Sequence, residues 1–146
     1  MQTLANGNTF GPLSPAAVTN SRGKVWTGRA LSGIAAAFLF MDGLAKLLRL
    51  QPVIDGTAQL GYPLDVVFTL GLVLTACVLA YVVPRTSVLG ALLLTGYLGG
   101  AVATHVRVEN PLFTHILFPT YVAALLWGGL VLRDPRLRAF LPLGRS

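Results

Sequence analysis

The sequence predicts an all-α integral membrane protein, a four-helix bundle preceded by a disordered N-terminal tail. Three stretches contain no acidic residue, lysine or arginine: those between Asp65 and Arg85, between Arg85 and Arg107, and between Glu109 and Arg133. Each is long enough to cross a bilayer, which takes about 20 apolar residues. A fourth stretch, 30–48, is similarly long but contains two charged residues. A hydrophobic fraction of 54% with only 11% charged residues argues against a soluble globular protein.

We place the four spans at 28–50, 64–83, 87–106 and 112–132. They and their loops use nearly all of residues 28–146, which we interpret as one membrane domain. Residues 1–27 are polar and rich in turn-forming residues, so we expect a flexible cytoplasmic tail. Beyond the last span, Asp134-Pro135 begins a short segment in which apolar residues alternate with arginines, which predicts a helix lying on the membrane interface.

Two prolines bear on the predicted helices. Pro63 suits the first turn of the second span, where Asp65 would favour the positive end of the helix dipole. Pro119 lies inside the fourth span, and the 14 residues from there to Arg133 are too few to cross a bilayer. The fourth helix must therefore start before Pro119 and bend there, which frees the carbonyl of His115, four residues upstream.

The basic residues predict the orientation. Eight lie on the side of the two termini and three on the opposite side. The positive-inside rule then places both termini in the cytoplasm. The net charge of +6 does not indicate nucleic-acid binding, because the basic residues sit at the ends of apolar segments rather than in a patch on a separate domain.

Small residues predict how the helices pack, because helices in lipid associate where their backbones can approach closely. Gly96 and Gly100 form a G-x-x-x-G pair in the third span, and Gly33 begins a similar spacing in the first. We therefore predict that these three glycines lie at helix contacts. The motif does not tell whether the contact is within the chain or with another subunit.

Charged residues occur at an expensive depth in the first span. Asp42, Lys46 and Arg49 are spaced i, i+4, i+7 and share one helix face. Asp42 lies roughly 20 Å from Arg29 at the inner surface, below the outer headgroups, where an unpaired charge costs at least a few kcal/mol. Two interpretations remain open. Asp42 and Lys46 form a self-sufficient pair while Arg49 reaches water, or the pair lines a cavity open to the outside.

The predicted topology brings polar residues from all four helices to this outer end and leaves the other half of the bundle nearly devoid of them. The candidate ligand-binding residues are Asp42, Lys46, Tyr62, Asp65, His105 and His115. Simpler roles exist for some of these residues and their neighbours. Asp65 is also a helix-start residue, His105 could be an interfacial residue without a partner, and Arg107 could pair with Glu109 in water.

The residue types suggest which ligand such a site would hold. A quinone headgroup needs one or two donors and an apolar slot, which His105, Lys46 or Tyr62 beside leucine-rich helices would provide. Haem or a metal ion is a weaker alternative, because the sequence has two histidines but no H-x-x-x-H or E-x-x-H. No catalytic triad, phosphate loop or pair of catalytic carboxylates stands out, so no catalytic residue is assigned and the cofactor stays open.

Several segments together resemble the DoxX-like family: Gly43-Leu44-Ala45-Lys46-Leu47, Leu60-Gly61-Tyr62-Pro63, Pro84-Arg85, the run from Gly99 to His105, and the run from Trp127 to Arg138. The resemblance covers roughly residues 28–142. It implies a four-helix protein of the bacterial inner membrane. It also implies signature positions at Lys46, Gly61, Tyr62, Pro63 and His105, although the family supplies no settled catalytic roles for them. The family takes its name from a subunit of a thiosulfate:quinone oxidoreductase.

Two classes of function follow. The favoured hypothesis is a non-catalytic accessory subunit of a larger redox or photosynthetic membrane complex, in contact with lipids and with other membrane subunits. The alternative is a quinone-binding redox protein with its pocket on the periplasmic side. A transporter is less favoured, because only the outer half of the bundle is predicted to be polar.

Overall fold

The computed structural model describes residues 15–134 and Leu137, with side chains described from Arg22 onward. The described chain is helical and contains no strand. Its elements are α1 (Pro15–Leu47), α2 (Gln51–Gln59), α3 (Val66–Val82), α4 (Ser87–Arg107), a π-helical turn (Leu112–Ile116) and α5 (Phe118–Arg133).

Three helical segments are long and apolar enough to cross a membrane: Arg22–Leu47, Ser87–Arg107 and Leu112–Arg133. These confirm three of the four predicted spans by length and composition. The remaining long helix, α3, is apolar but has 17 residues, or about 25 Å at 1.5 Å per residue. That α3 also crosses, and that both termini face the cytoplasm, stay predictions.

Helix boundaries differ from the sequence expectation in two places. α1 begins at Pro15 rather than at residue 28, so the second half of the predicted flexible tail is helical. Proline at a first helical position fits this start, because its missing N–H would have no partner there. The loop after α1 contains α2, which the sequence analysis missed. Residues 1–14 and, apart from Leu137, the predicted interfacial helix after Asp134 lie outside the described residues.

The long helices pack in a cycle in which α1 contacts α3 and α5, and α4 contacts the same two helices. Their buried side chains recur every three or four residues, as expected of one helix face turned inward. The central core comprises Ala35, Leu39, Leu74, Val78, Tyr81, Ala91, Leu94, Leu98, Val122, Leu126 and Leu130. Many large apolar side chains on the outer faces are exposed, as suits helices surrounded by lipid.

The close helix contacts among the described residues do not involve the three predicted glycines. Gly33, Gly96 and Gly100 have open space where a Cβ would stand, and their contact with another subunit stays a prediction. Five other glycines permit the close approaches: Gly28, Gly43, Gly71, Gly90 and Gly129. The sequence motif identified small residues correctly, but it could not show which face of each helix turns toward its neighbours.

Three of these contacts define the packing. On α5, a Cβ at Gly129 would lie 2.5 Å from the Ser32 hydroxyl oxygen of α1. On α3, a Cβ at Gly71 would lie 2.7 Å from the Lys46 Cβ of α1. On α4, a Cβ at Gly90 would overlap the backbone of Tyr81 on α3. The backbones therefore meet along three seams, each of which requires a residue without a side chain.

The half of the bundle opposite the predicted polar end contains more polar contacts than the sequence analysis expected. Tyr81 is fully buried, and its hydroxyl lies 2.9 Å from the Ser32 hydroxyl and donates to the Leu126 carbonyl at 2.8 Å. Arg133 donates to the Tyr81 carbonyl at 3.3 Å, and its guanidinium lies 4.9 Å from the centre of the Tyr81 ring. One tyrosine thus joins α3 to α1 and α5 by hydrogen bonds.

Candidate functional site

A cavity of about 420 Å³ lies between the C-terminal ends of α1 and α4 and the N-terminal end of α5. Its polar and charged lining residues are Asp42, Lys46, Thr57, Tyr62, Tyr97, Thr104 and His105. The apolar part of the lining includes Phe38, Leu39, Leu98, Phe118 and Val122. The four long helices and α2 therefore all contribute to one chamber with a polar end and apolar walls.

Asp42 and Lys46 form an ion pair one helical turn apart on α1, and both line the cavity. The Lys46 side chain is 13% exposed and that of Asp42 is 36% exposed. The ion pair of the first interpretation is therefore formed, and it also lines the cavity; that the cavity opens to the outside stays a prediction. Pairing keeps the two charges neutral in sum at a depth where either one alone would be costly.

Tyr62 closes the chamber from the loop before α3. Its hydroxyl lies 2.8 Å from the Thr104 hydroxyl, and Thr104 in turn donates to the Gly100 carbonyl at 2.9 Å. The Thr104 hydroxyl has one proton and donates it to that carbonyl. Tyr62 is therefore the donor in the bond to Thr104. The ring and this short chain of bonds fasten the loop to α4.

Arg107 holds the same loop from the end of α4. It donates to the Leu60 carbonyl at 2.6 Å, and its guanidinium lies 5.9 Å from the centre of the Tyr62 ring. Gly61 between them has a φ of +76°, a conformation that suits glycine. Arg107 therefore holds the loop over the cavity and does not form an ion pair with Glu109.

His105 lies near the end of α4, where its side chain contacts Asn110 and His115. Its Nδ1 lies 2.8 Å from the side-chain nitrogen of Asn110. Its ring meets the His115 ring edge to face, with the ring centres 5.8 Å apart. His115 itself is exposed, and its Nδ1 lies 2.8 Å from the Thr114 hydroxyl.

Two phenylalanines form the rim on the apolar side. Phe38 of α1 and Phe118 of α5 pack edge to face with ring centres 5.5 Å apart. Both line the cavity, and both are also exposed on the outer surface. Both belong to segments long and apolar enough to cross a membrane.

Pro119 shapes this rim. It has no N–H to give to the His115 carbonyl, so the helix cannot continue regularly through this point. The chain instead makes the π-helical turn and then starts α5 at Phe118, with Pro119 in its first turn. The predicted bend is therefore an interruption, and it places Phe118 and the buried Pro119 against the cavity.

The structure brings together four of the six predicted ligand-binding residues, because Asp42, Lys46, Tyr62 and His105 all line the cavity. Asp65 does not line it. Asp65 occupies the exposed N-cap position of α3 and makes no capping hydrogen bond. His115 lies beside His105 but outside the lining. Ligand binding by any of these residues stays a prediction.

Sequence reasoning missed Tyr97, Thr104 and Phe118. Tyr97 and Thr104 precede His105 by eight and one residues, and with Ala101 they fall on one face of α4. Counting back from His105 in helical steps would have found Tyr97. Phe118 carried no such signal, since its position depends on the interruption before Pro119.

The described residues contain no group of three or more His, Cys, Asp or Glu side chains that could hold a metal ion. The donors around the cavity instead suit an organic ligand. Lys46, His105 and Tyr97 offer N–H and O–H groups close to apolar walls.

The model of the DoxX-like family matches residues 30–129. No curated protein and no solved structure matches the chain significantly. The matched region covers more than half of the chain and contains every residue that lines the cavity. The protein is therefore a membrane protein that belongs to the DoxX-like family.

Proposed function

We propose that this membrane protein binds a small lipid-soluble molecule in the cavity, and that a quinone headgroup is the ligand that the cavity suits best. The proposal rests on one observation, which is that a polar end and an aromatic rim belong to the same cavity. The polar end holds Asp42, Lys46 and His105, and the rim is formed by Phe38 and Phe118.

The chemistry of the lining supports a headgroup of this kind. A quinone presents a flat apolar ring with two carbonyl oxygens that accept hydrogen bonds. Lys46 keeps N–H donors beyond the one given to Asp42, and the Tyr97 hydroxyl makes no hydrogen bond to the described residues. A volume of about 420 Å³ also falls within the range of small-molecule sites, roughly 300–1,000 Å³.

The position of the rim supports entry from the lipid. A quinone dissolves in the hydrocarbon part of the bilayer, and both rim residues are exposed on segments able to cross a membrane. An alkyl tail could extend past Phe38 and Phe118 while the ring reaches the polar end. The proposal concerns binding and assigns no catalytic residue.

The test is binding of a decyl-substituted benzoquinone to the purified full-length protein in lipid nanodiscs. We expect the double variant Asp42→Asn/Lys46→Met and the variant His105→Leu each to bind about ten-fold more weakly or worse, since a donor to the ligand is lost. The double variant avoids leaving Asp42 unpaired in the membrane.

Matched controls are Lys24→Met and Tyr121→Phe, because both residues are exposed and lie outside the cavity lining. Both controls should bind as the unmodified protein does. Absence of measurable binding by the unmodified protein, or equal binding by all four variants, would refute the quinone proposal.

A second candidate function is that of an accessory subunit, and one observation favours it. Gly96 and Gly99 on α4 are exposed and have open space at the Cβ position, so no helix among the described residues covers them. A face of this kind suits a helix of another membrane protein. We expect larger membrane proteins to co-purify with the chain in mild detergent.

The variant Gly96→Leu should release those partners, whereas Gly33→Leu, on an equally open site of α1, should retain them. Isolation of the unmodified chain as a monomer under the same conditions would count against a subunit role. We further propose a bacterial inner-membrane location with both termini cytoplasmic, which places the cavity on the periplasmic side.

A further inference from the structure

The polar groups of the cavity differ in what they still offer a ligand. The Tyr62 proton is given to Thr104, and the Thr104 proton is given to the Gly100 carbonyl. Neither hydroxyl is left to donate. Of the three residues that the sequence suggested as donors to a quinone, Tyr62 therefore has no free proton to donate. His105 and Lys46 remain as candidate donors.

The contact with Asn110 decides what His105 offers. The side-chain nitrogen of an asparagine can only donate, so the His105 Nδ1 at 2.8 Å must accept. A neutral imidazole carries one proton, which then sits on Nε2. Nε2 makes no hydrogen bond to the described residues, so it is the ring nitrogen left to meet a molecule in the cavity.

The end of α4 holds Asn110 in place for this contact. Glu109 adopts a left-handed conformation with φ of +55°, which reverses the chain after the helix. Its N–H then donates to the Val106 carbonyl and the Asn110 N–H donates to the His105 carbonyl, both at 3.1 Å. These two bonds form a Schellman motif. Asn110 is therefore tied to His105 through both its backbone and its side chain.

We propose that Asn110 is a positioning residue that fixes His105 as the Nε2–H tautomer, and that His105 thereby selects ligands presenting a hydrogen-bond acceptor such as a carbonyl oxygen. The first half stands on the geometry of the free protein. The second half rests on the proposed function, because it requires a ligand in the cavity.

The first half is tested by ¹⁵N NMR of histidine-labelled full-length protein in nanodiscs at alkaline pH, without ligand. His115→Gln leaves a single imidazole and so assigns the signals. We expect His105 to be protonated at Nε2 and bare at Nδ1. In Asn110→Asp the carboxylate can only accept, so the proton should move to Nδ1, whereas Asn110→Gln keeps an amide donor and should keep the Nε2 proton. A proton on Nδ1 in the unmodified protein overturns the proposal.

The second half is tested with the decyl-substituted benzoquinone. At the same pH, Asn110→Asp should weaken binding about three- to ten-fold, the loss of one hydrogen bond to the ligand, and Asn110→Gln should restore it. Unchanged binding in Asn110→Asp, once its proton has moved, overturns selection by the tautomer. If the unmodified protein does not bind the quinone, the proposed function and the selection fail together, while the positioning role is decided by the NMR result alone.

Discussion

Tyr81, which the sequence analysis did not single out, joins α3 to α1 and α5 by hydrogen bonds. Its phenol is buried between α1 and α5 and makes its bonds to Ser32 and the Leu126 carbonyl there. A buried hydroxyl must keep such bonds, because no water replaces them if they are lost. The ring also lies under the Arg133 guanidinium, so one side chain combines apolar burial, hydrogen bonding and a cation–π contact.

We expect Tyr81→Phe to lower the free energy of unfolding by about 1–3 kcal/mol, the cost of leaving Ser32 and the Leu126 carbonyl without this partner. Thermal unfolding in mild detergent, followed by circular dichroism, would measure it. Tyr121→Phe is the matched control, since Tyr121 is exposed on α5 and should lose almost nothing. Equal stability of the two variants would show that the hydrogen bonds of Tyr81 contribute little.

The sequence predicted the polar cluster of the cavity well where helix geometry alone decides the outcome. Asp42 and Lys46 had to share a face because they are four residues apart. Asp65 and His115 were assigned to the same cluster by their depth in the membrane. Depth says nothing about the direction in which a side chain points, and neither residue lines the cavity.

Three helices end in the same way at the cavity end of the bundle. α1, α2 and α4 each close with a Schellman motif whose left-handed residue is Arg49, Gly61 or Glu109. Only one of the three is a glycine, so two of the reversals were invisible to a search for glycine after a helix. Each reversal satisfies the last carbonyls of its helix and turns the following segment back over the chamber.

Gly90 and Gly96 on α4 allow a direct test of the helix packing. A methyl group at Gly90 would overlap the Tyr81 backbone, whereas one at Gly96 meets nothing within 4 Å. We expect Gly90→Ala to destabilise the protein by at least about 2 kcal/mol. Gly96→Ala should be neutral or up to about 1 kcal/mol more stable, because alanine favours a helix.

Chemical or thermal unfolding of the two purified variants in the same detergent distinguishes them. The reverse order of stability would mean that α3 and α4 do not meet at Gly90. Loss of stability in both variants would instead indicate that the open face of α4 is covered in the assembled protein.

At the scale of the whole molecule, the helical membrane character was predictable from composition and charge-free stretches, and the family from the resemblance of several short segments. Uncharged segments of sufficient length have few alternatives to a helix in lipid. The extension of α1 to Pro15 and the presence of α2 were not predictable in this way. Both segments contain too many polar residues to be recognised as membrane spans by their hydropathy.

The proposed topology predicts which loops a membrane-impermeant reagent reaches. Cys77 is buried and is the only cysteine of the chain, so a Cys77→Ser background leaves none. In that background we expect Glu109→Cys to react with an impermeant maleimide added to intact cells once the outer membrane is opened. Arg85→Cys should react only after the inner membrane is lysed.

Arg85 precedes and Glu109 follows a segment able to cross the membrane, so each position is the control for the other. Labelling of Arg85→Cys in cells with an intact inner membrane would show that the orientation is the reverse of the proposed one. The cavity would then lie on the cytoplasmic side.

The cavity is built between the first long helix and the last. Phe38, Asp42 and Lys46 come from α1, whereas Phe118 and Val122 come from α5, about eighty residues later in synthesis. A chain that contains α1, α3 and α4 but not α5 therefore still lacks one wall of the cavity. On the proposed function, a chain truncated before Phe118 should insert into the membrane without any capacity to retain the quinone.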